Sequence, residues 1–590
     1  MPKVGFCAAL WPASELMTAK PCASALVIGP PPKVPLAVAT AALLAACGGD
    51  DYDRTVPQLS PATGASLASC SDLTTKLTYA NTTFTAASAV AAGGLQLGGN
   101  PIPAHCVVTG RMFDRVSTVD GKSYAIGFEM RLPNAWNGRF FYQANGGTDG
   151  IVSTASGTFG GGPITSALAQ GFAVISSDAG HNAAQNPTFG IDAQARYDYG
   201  YQAVAKLTPM AKSVIQTAYG KAADRSYFGG CSNGGRHTMV AAARYADQYD
   251  GFIAGDPGFR LPLAAVANIT AFQAYNTIAT TANDPSTGYT AAEQATVAAA
   301  VLAKCDALDG ATDGLVQDTK ACQAAFDLNR DVPTCAGARD GTCLTAAQKT
   351  VIAQRFAGVT NSTGTKFYSS WPWDAGIGSG NTRFWNFTVP GLLDSGAVGF
   401  IWQVPPEDPA SFNGTTFALT TAVDTMLAKI QATSATYPEN ALQSMTPPNP
   451  SDLSVLRNRG AKIMVYHGTS DPIFSSDDTT AWYASVAAAN GGDASPFARL
   501  FLVPGMTHCS AGPATDQFDM LTPIVNWVEN GQPPDSVLAS ARGASNPGGA
   551  SADVPASWSP TRTRPLCAYP KVARYGGSGS VEVASSFTCQ

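Results

Sequence analysis

A serine flanked by glycines constrains the fold of this 590-residue chain more than any other feature. Residues 230–234 are Gly-Cys-Ser-Asn-Gly, between a strand-like run at 225–228 and a helix-like run at 234–246. In that context G-x-S-x-G predicts a nucleophile elbow, a tight turn that exposes the serine hydroxyl and needs glycine where a Cβ atom would clash. The alternative is a chance match among 59 glycines. We predict Ser232 as the nucleophile, and the Asn233 N–H, at the helix start, as an oxyanion donor.

A serine nucleophile needs a base and a group that orients the base. In chains with such an elbow the order is serine, acid, histidine, and the last two follow late strands. Residues 462–466 and 499–503 are strand-like, and the loops after them contain Asp471 and His508. Both residues are therefore at the carboxyl ends of predicted strands, in the required order. We predict His508 as the base and Asp471 as its orienting group.

The other four histidines do not meet this test. His105 and His181 precede the serine, His237 is in the elbow helix, and His467 precedes its own candidate acid. We interpret each of them as a structural histidine.

A second oxyanion donor is expected from a loop on the N-terminal side of the elbow. The strand-like run at 139–143 leads into the glycine-rich segment 145–148, which makes Gly147 the candidate. A plain hairpin turn is the alternative interpretation of this segment.

Strand-like and helix-like runs alternate from 128 to 254 and again from 462 to 530, which predicts a largely parallel sheet covered by helices. Residues 259–452 lack this alternation and contain Ala-rich helical segments, four clustered cysteines and Trp-rich stretches. We predict an α/β-hydrolase fold whose core has two parts, 70–258 and 453–590, with a large inserted lid domain at 259–452 between them.

An apolar run at 34–44 follows Lys33 and ends in small residues before Cys47. It is too short to span a bilayer and is typical of a bacterial lipoprotein signal, with Cys47 lipidated and an ordinary cleaved signal as the alternative. We assign 1–47 to an upstream segment and this signal, and 48–69 to a tether. The protein is expected to be exported, as an outer-membrane lipoprotein or as a periplasmic or secreted protein.

An even number of cysteines in an exported chain predicts disulfides. Ten remain when those at 7, 22 and 47 are set aside, and proximity in sequence favours Cys70 with Cys106, Cys305 with Cys322, Cys335 with Cys343, and Cys567 with Cys589. Cys231 and Cys509 are left over, each next to a catalytic candidate. A bond between them would tie the serine and histidine loops together, and two buried free thiols are the alternative.

The charge of the chain limits its partners. The net charge of -6 and the lack of any charge run argue against nucleic-acid binding. We expect a monomer that needs no organic cofactor and contacts a membrane only through a lipid at Cys47.

The residues around the predicted triad resemble a known family. Cys231-Ser232, Asp471 and His508-Cys509 match the CS-D-HC pattern of the tannase and feruloyl esterase family, which includes enzymes that hydrolyse mono(2-hydroxyethyl) terephthalate. The likeness covers nearly all of the mature chain. It implies an α/β-hydrolase with a lid over the site, acting as a serine esterase on esters of aromatic acids.

Segment 305–315 gathers three carboxylates and two glycines within a few residues. Hard oxygen ligands at this density suit Ca²⁺, although the glutamate of an EF-hand is missing, and a solvated Asp/Gly turn is the alternative. The family resemblance implies a structural Ca²⁺ in the lid, held by the side chains of Asp306, Asp309 and Asp313 and by the carbonyls of Ala311 and Leu315.

The distribution of charge in the predicted lid bears on the substrate. Residues 384–428 contain no Arg or Lys, whereas terephthalate-monoester hydrolases of the family are expected to pair the substrate carboxylate with a lid arginine. Arg383 is the nearest substitute. A feruloyl or other hydroxycinnamoyl ester is therefore favoured, with mono(2-hydroxyethyl) terephthalate and gallate esters as alternatives. A non-catalytic ligand-binding lipoprotein is an alternative of another class, and the intact triad argues against it.

Overall fold

Nine strands form the central sheet of the computed structural model, which describes residues 56–159, 166–544, 546 and 548–590. In chain order they are β1 (Thr82–Val90), β2 (His105–Val116), β3 (Ser123–Pro133), β4 (Arg139–Gln143), β5 (Ala173–Ser177), β6 (Arg225–Cys231), β7 (Gly251–Gly255), β8 (Lys462–Gly468) and β9 (Ala498–Val503). Their spatial order is β9-β8-β7-β6-β4-β5-β3-β2-β1. The elbow strand β6 is therefore central.

The sheet is mixed. Strands β4 to β9 pair in parallel. Strands β5, β7 and β8 are buried along their whole length, and β6 is buried from Ser226 onward, as expected of strands covered on both faces. At the other edge β1, β2 and β3 are antiparallel, and β3 joins β5 antiparallel. The predicted largely parallel sheet is thus correct for six strands. The edge differs in part because residues 117–122, which join β2 to β3, are too few for the crossover that a parallel pair needs. Residues 91–104, between β1 and β2, contain the small hairpin Gln96–Leu97 with Asn100–Pro101.

Helices connect and cover the strands. Among the described residues, the α-helices of eight residues or more are α1 (Ala203–Tyr219), α2 (Asn233–Arg244), α3 (Leu261–Asn276), α4 (Ala291–Cys305), α5 (Ala346–Ala357), α6 (Gly380–Phe387), α7 (Val423–Ile430), α8 (Ser476–Ala489) and α9 (Leu521–Asn530). Shorter ones are Leu73–Lys76, Ala193–Tyr197, Thr319–Ala325, Leu328–Asp331, Gly414–Thr420, Ala441–Met445 and Ser454–Asn458.

Local signals explain where several helices begin and end. Thr290 and Glu293 form a capping box at the start of α4, in which each side chain accepts a hydrogen bond from the other residue's backbone N–H. Gly220 ends α1 in the left-handed conformation, at φ 71°, which glycine adopts without strain.

The segment between β7 and β8 contains α3 to α7 and packs in two ways. Part of it shares the largest hydrophobic cluster with the sheet, since Val398 and Phe417 belong to the same cluster as Ile463 of β8. Another part has a cluster of its own, which includes Val297 of α4 and Ile352 of α5. The segment is thus helical, and it lies directly against the core.

Small antiparallel sheets complete the fold. Gln517–Phe518, Ser536–Ser540 and Thr563–Cys567 form a three-stranded sheet after β9. The paired short strands are Ala573–Tyr575 with Phe587–Cys589, Ala65–Ser66 with Ala135–Trp136, and Gln96–Leu97 with Asn100–Pro101.

Part of the predicted tether belongs to the folded domain. Residues 48–55 lie outside the described part of the chain, as do the upstream segment, the signal and Cys47. From residue 56 onward the chain contacts the core: the Gln58 amide donates to the Val528 carbonyl (2.8 Å), and the Ala62 N–H donates to Glu529 (2.8 Å). The sequence analysis missed this because polar, Pro-containing segments are typical of linkers, whereas these contacts join residues far apart in sequence.

In the part of the chain that the structure describes, no helix combines the length and apolar character needed to cross a membrane.

Candidate active site

Ser232 lies in the turn between β6 and α2, at φ 65° and ψ −126°. Residues with a Cβ atom rarely adopt this conformation, and such strain is concentrated at functional sites. A Cβ atom on Gly230 would lie 2.4 Å from the carbonyl oxygen of Ala144, and one on Gly234 would lie 2.5 Å from it. Both positions require glycine because the chain after β4 packs directly against the turn. The local structure is the nucleophile elbow that the sequence predicts.

Three polar side chains meet at the carboxyl edge of the sheet. Ser232 Oγ lies 2.7 Å from His508 Nε2, and His508 Nδ1 lies 2.8 Å from Asp471 Oδ2. Asp471 is in the loop after β8, and His508 is in the loop after β9. The structure thus brings the predicted nucleophile, base and orienting acid within hydrogen-bond distance of one another, in the order that a Ser-His-Asp triad requires.

The Asp471 carboxylate is buried and fully hydrogen-bonded. Its Oδ1 accepts from the backbone N–H groups of Ile473 (2.9 Å) and Phe474 (3.1 Å). Burial by itself would raise the pKa of Asp471, but the charge of His508 and a hydrogen bond from His467 outweigh burial and hold that pKa well below its usual range. Asp471 therefore stays ionised and is able to stabilise a protonated His508.

His467 supports the acid, which the sequence analysis did not foresee. Its ring is fully buried, with Nδ1 2.8 Å from the Thr479 hydroxyl and Nε2 3.0 Å from the Phe474 carbonyl. Nε2 also lies 3.4 Å from Asp471 Oδ2. The earlier reading of His467 as a structural histidine is thus too general, because this ring packs against the acid itself. Its position at the carboxyl end of β8, four residues before Asp471, was the available signal.

Asp256 is a second supporting group that the sequence analysis missed. It follows β7 and is fully buried. Its Oδ1 accepts from the Gly468 N–H (2.6 Å), and its Oδ2 accepts from the Cys509 N–H (2.8 Å). Burial raises the pKa of Asp256 to about 6, against the opposing charge of His467. Asp256 thus connects the acid-bearing loop to the histidine-bearing loop.

Two groups of side chains here are close enough to hold a metal ion, Asp256 with Cys231 and Cys509, and Asp256 with His467 and Asp471. The two cysteines of the first group form a disulfide. The side chains of the second group accept or donate hydrogen bonds within the protein. We therefore interpret both groups as parts of the hydrogen-bonded site.

The ten cysteines of the described chain form five disulfides: Cys70–Cys106, Cys231–Cys509, Cys305–Cys322, Cys335–Cys343 and Cys567–Cys589. The Cys231–Cys509 bond joins the residue before Ser232 to the residue after His508. Cys509 has a φ of 62°, a conformation that costs energy for a residue other than glycine. The disulfide and the bond to Asp256 hold the histidine loop in this conformation.

The Cys231→Ala/Cys509→Ala double variant is expected to lose about 3 to 5 kcal/mol of unfolding free energy, since a bond that closes a long loop restricts the unfolded chain. We also expect a lower kcat, because the serine and histidine loops lose their covalent connection. Denaturant titration and ester hydrolysis measure the two effects. Cys335→Ala/Cys343→Ala is the matched control, expected to cost stability but not kcat. An unchanged kcat in the first variant would contradict the expected role of the bond.

A cavity of about 610 Å³ opens beside Ser232 and His508. Phe159 and Trp385 supply aromatic surface, and the described lining residues include no Arg or Lys. The charged side chain in the lining, Asp149, is hydrogen-bonded inside the protein. The cavity is therefore large enough for a small aromatic ester and offers no cation to a substrate carboxylate among the described residues.

Two aromatic side chains fix the plane of the His508 ring. Trp385 of α6 meets it edge to face with ring centroids 4.6 Å apart, and Phe474 meets it edge to face at 5.2 Å. The Trp385 indole N–H donates to Asn381 (3.1 Å), which also accepts from the Thr507 hydroxyl (2.9 Å). The helical segment between β7 and β8 thus contributes directly to the wall of the site.

The two predicted oxyanion donors lie on either side of Ser232. Asn233 is the first residue of α2, so its N–H has no partner within the helix. The loop that contains Gly147 also lines the cavity, and a Cβ atom on Gly146 would lie 3.8 Å from the Ser232 Cβ. Both segments are therefore close to the position at which a substrate carbonyl would be attacked.

The Asn233 side chain does not face the cavity. It is buried and donates to Asp149 Oδ2 (3.0 Å), and its Oδ1 accepts from Arg236 (2.8 Å). The type of residue at position 233 therefore affects the packing behind the elbow. It does not change the charge that the cavity presents to a substrate.

The remaining histidines lie outside the triad. His105 is in β2, with Nδ1 2.7 Å from a backbone carbonyl. His181 Nε2 is 2.8 Å from the Thr148 carbonyl, and His237 Nε2 is 2.8 Å from Asp149. These contacts agree with their interpretation as structural residues.

The acidic loop after α4 is partly buried. Asp306 accepts from the N–H groups of Asp313 (2.9 Å) and Gly314 (3.0 Å), and Asp313 is paired with the buried Arg564. Burial raises the pKa of Asp309 to about 6, and the charges of Asp313 and Asp306 add to this effect. Arg564 pairs with Asp313 but not, among the ion pairs of the described residues, with Asp306 or Asp309, so a cation would offset negative charge that remains in this loop.

Two features of this loop bear on the predicted cation site. Asp309 Oδ2 is buried without a hydrogen-bond partner, which leaves one carboxylate oxygen unsatisfied. The N–H groups of Ala311 and Leu315 donate to the Oδ1 atoms of Asp309 and Asp313 (3.0 and 3.1 Å), which holds these residues beside the carboxylates. The oxygen-rich donor set and the unsatisfied oxygen are compatible with Ca²⁺.

Arg383 does not reach the cavity. Its guanidinium donates to the Tyr289 carbonyl (2.8 Å) and the Gln294 side chain (3.0 Å), inside the helical segment. The substitute that the sequence suggested for a substrate-binding arginine is therefore already paired elsewhere.

Comparisons with known proteins agree with this geometry. The family model described as "Tannase and feruloyl esterase" matches residues 106–590. The chain is 40% identical over 527 residues to the mono(2-hydroxyethyl) terephthalate hydrolase of Piscinibacter sakaiensis, which covers 83% of this chain and 85% of the relative. It is 28% identical to feruloyl esterase B of Aspergillus niger, over 88% of this chain and 95% of the relative.

A solved structure shares the fold. The crystal structure of feruloyl esterase B from Aspergillus oryzae superposes with a TM-score of 0.70 at 24% identity and covers 88% of this chain and 99% of that one. The mixed sheet with its elbow is consistent with the predicted α/β-hydrolase. On the family match and the 40% identical relative, this chain belongs to the tannase and feruloyl esterase family of carboxylic ester hydrolases.

Proposed function

We propose that this chain is a serine carboxylesterase that hydrolyses esters of aromatic acids through an acyl-enzyme. The observation that carries the proposal is the unbroken chain of hydrogen bonds from Asp471 through His508 to Ser232, at the wall of a cavity with aromatic lining.

In the proposed mechanism Ser232 Oγ attacks the ester carbonyl while its proton passes to His508 Nε2. The ionised Asp471 stabilises the imidazolium, and the N–H groups of Asn233 and Gly147 bind the oxyanion. His508 then gives the proton to the departing alcohol, which leaves the aromatic acyl group on Ser232. Water, deprotonated by His508, attacks the acyl-enzyme, and the acid is released as the serine regains its proton.

The cavity favours a neutral acyl group. The aromatic faces of Phe159 and Trp385 suit an aromatic ring, and the described lining has no cation for a carboxylate. A feruloyl or other hydroxycinnamoyl ester therefore fits the site better than an anionic monoester.

Mono(2-hydroxyethyl) terephthalate is the second candidate substrate, and the 40% identical hydrolase of that compound supports it. Gallate esters are a third, since the family includes tannases. The test compares hydrolysis of methyl ferulate, mono(2-hydroxyethyl) terephthalate and a gallate ester by one preparation of enzyme. The highest kcat/KM identifies the acyl class, and preference for the terephthalate monoester would overturn our assignment of a neutral substrate.

A non-catalytic ligand-binding protein remains the alternative of another class. It would turn over none of these esters and would leave Ser232 unlabelled by a fluorophosphonate, whereas an esterase is labelled at Ser232.

We also propose that residues 259–452 act as a lid on a core made of 70–258 and 453–590. The contact of Trp385 with the His508 ring supports this division. Trp385→Ala is expected to raise KM, because the indole forms cavity wall, and to lower kcat, because the same indole packs against the His508 ring. Leu392→Ala, at an exposed apolar side chain of the same segment, is the control. A KM equal to that of the wild type would count against the lid contributing to substrate binding.

We propose that the acidic loop holds a structural Ca²⁺ through the side chains of Asp306, Asp309 and Asp313 and the carbonyls of Ala311 and Leu315. Such an ion would neutralise the carboxylates and tie the loop to the C-terminal sheet that carries Arg564.

Removal of this ion by a chelator is expected to lower the melting temperature, and added Ca²⁺ is expected to restore it, because an ion that binds only the folded state stabilises that state. Differential scanning calorimetry measures the shift. Asp309→Asn should show a smaller response to chelator than the wild type. Asp340→Asn, in an exposed turn elsewhere in the segment, is the matched control. Equal melting temperatures with and without chelator would refute the calcium site.

The five disulfides are typical of an exported protein. We propose a monomer that is anchored to the outer membrane by a lipid at Cys47, or is otherwise periplasmic or secreted. The mass of the N-terminal peptide of the mature protein tests for the lipid.

A further inference from the structure

The loop after β4 is held by side chains through its carbonyl groups. Three successive carbonyls each accept one hydrogen bond, Gly147 from Tyr199 (3.3 Å), Thr148 from His181 (2.8 Å) and Asp149 from Asn186 (3.0 Å). No described residue accepts the N–H of Gly147. With its carbonyls turned into the protein, this loop keeps that N–H available to a ligand in the cavity.

Asp149 connects this loop to the helix of the elbow. Its Oδ2 accepts from the Asn233 amide (3.0 Å) and lies 2.8 Å from His237 Nε2. Asp149 has a φ of 54°, a left-handed conformation that Asp tolerates better than most residues but that needs support from its surroundings. The side chain that forms the connection is therefore also the one that holds the loop in its bend.

Tyr199 makes a second connection between the same two segments. Its hydroxyl lies 3.3 Å from the Asn233 Oδ1 and 3.3 Å from the Gly147 carbonyl. Arg236 donates to the same Oδ1 (2.8 Å), and its guanidinium is fully buried. The Asn233 amide is thus held at both ends, by Asp149 on its nitrogen and by Arg236 on its oxygen. The single Tyr199 hydroxyl proton is shared between that oxygen and the Gly147 carbonyl, and this places the tyrosine between the two segments.

We propose that the side chains of Asp149, Tyr199 and Asn233 form an oxyanion clamp, a set of positioning residues that fixes the distance between the two N–H donors of the oxyanion hole. Those donors lie on separate chain segments, and the clamp joins the segments. Oxyanion stabilisation depends on donors that are already in place before charge develops. The inference rests on the proposed serine mechanism, because the clamp acts on the oxyanion of that reaction.

The clamp predicts a separation of transition-state binding from ground-state binding. None of its members takes or gives a proton in the reaction, and the Asn233 and Tyr199 side chains do not line the cavity. Loosening the clamp should therefore weaken binding of a tetrahedral adduct and leave binding of a planar aromatic acid unchanged.

The test uses the full mature chain with Tyr199→Phe, Asn233→Ala and the double variant. Each single variant is expected to lower kcat about tenfold or more with little change in KM, as for loss of part of an oxyanion hole. The Ki of an arylboronic acid, which forms a tetrahedral adduct with a serine, should rise in proportion. The Ki of the product acid should stay constant. The kcat of the double variant should be only slightly below that of the less active single variant, because the side chains act as one unit.

Tyr201→Phe is the matched control. It removes a hydroxyl from the same helical segment, but that hydroxyl donates to Glu439 and makes no contact with the clamp. It is expected to keep the wild-type kcat and boronate Ki. The clamp is overturned if Tyr199→Phe and Asn233→Ala have the same kcat as Tyr201→Phe. It is also overturned if their kcat falls while the Ki of the boronic acid does not rise. Fluorophosphonate labelling of the wild type separates the two proposals: an unlabelled wild type removes the serine mechanism, whereas a labelled wild type with fully active variants removes only the clamp.

Discussion

Replacing Ser232 with alanine is expected to reduce kcat by about 10⁶-fold, to the level of any residual hydrolysis that binding and the oxyanion donors support. In the proposed mechanism Ser232 Oγ is the nucleophile and gives its proton to His508 Nε2, which lies 2.7 Å away. No other hydroxyl in the described cavity lining contacts His508 Nε2. Turnover of the preferred aromatic ester, followed at high enzyme concentration, measures the loss.

The matched control for this variant is Ser485→Ala, on the exposed face of α8, where the serine hydroxyl bonds only a carbonyl of its own helix. The control is expected to hydrolyse the ester at the wild-type rate. A Ser232→Ala variant that kept more than a trace of activity, with esterase contamination excluded by the same preparation of an unrelated protein, would remove Ser232 from the mechanism.

Asp471→Asn is expected to lower kcat about 10⁴-fold while the protein stays folded. The ionised carboxylate accepts from His508 Nδ1 at 2.8 Å and so leaves Nε2 free to accept the serine proton. An asparagine presents an N–H₂ group to His508 or to the neighbouring His467, and either arrangement disturbs the tautomer of the base. The backbone N–H groups of Ile473 and Phe474, which donate to Asp471 Oδ1, can still donate to the asparagine oxygen, so the loop should keep its shape.

Asp477→Asn is the control for the acid, because the partly buried Asp477 follows the same strand β8 but accepts a hydrogen bond from Ser370 instead of from a catalytic candidate. It is expected to retain the wild-type kcat. Equal kcat values for the Asp471 and Asp477 variants would show that Asp471 does not orient the base. The labelling rate of Ser232 by a fluorophosphonate gives an independent readout, since it reports serine activation without substrate binding.

Local features of the sequence predicted the elements around the site well. The helix predicted at 234–246 is α2, Asn233–Arg244, and the strand predicted at 462–466 is β8, Lys462–Gly468. Periodicity and flanking breakers are local properties, so they are visible in the sequence. The antiparallel edge was missed because strand orientation depends on which neighbours pair across the sheet.

The sequence analysis also missed the groups that act behind the triad. Asp256 directly follows β7 and His467 lies near the end of β8, so they meet only because these two strands are adjacent in the sheet. The same holds for Asp149 and Asn233, which lie on two segments that pack against each other at the elbow. Nothing in the residue types around these positions indicates a partner at such a distance along the chain.

By itself the sequence determined the elbow, the order of nucleophile, acid and base, and the family, because these depend on residue types and on spacing along the chain. Only the tertiary structure decided which carboxylates and amides support them, which way the Asn233 side chain turns, and that Arg383 is paired away from the cavity. The physical reason is that hydrogen bonds and burial depend on distances in space. Those distances are set by the pairing of strands and the packing of helices from remote parts of the chain.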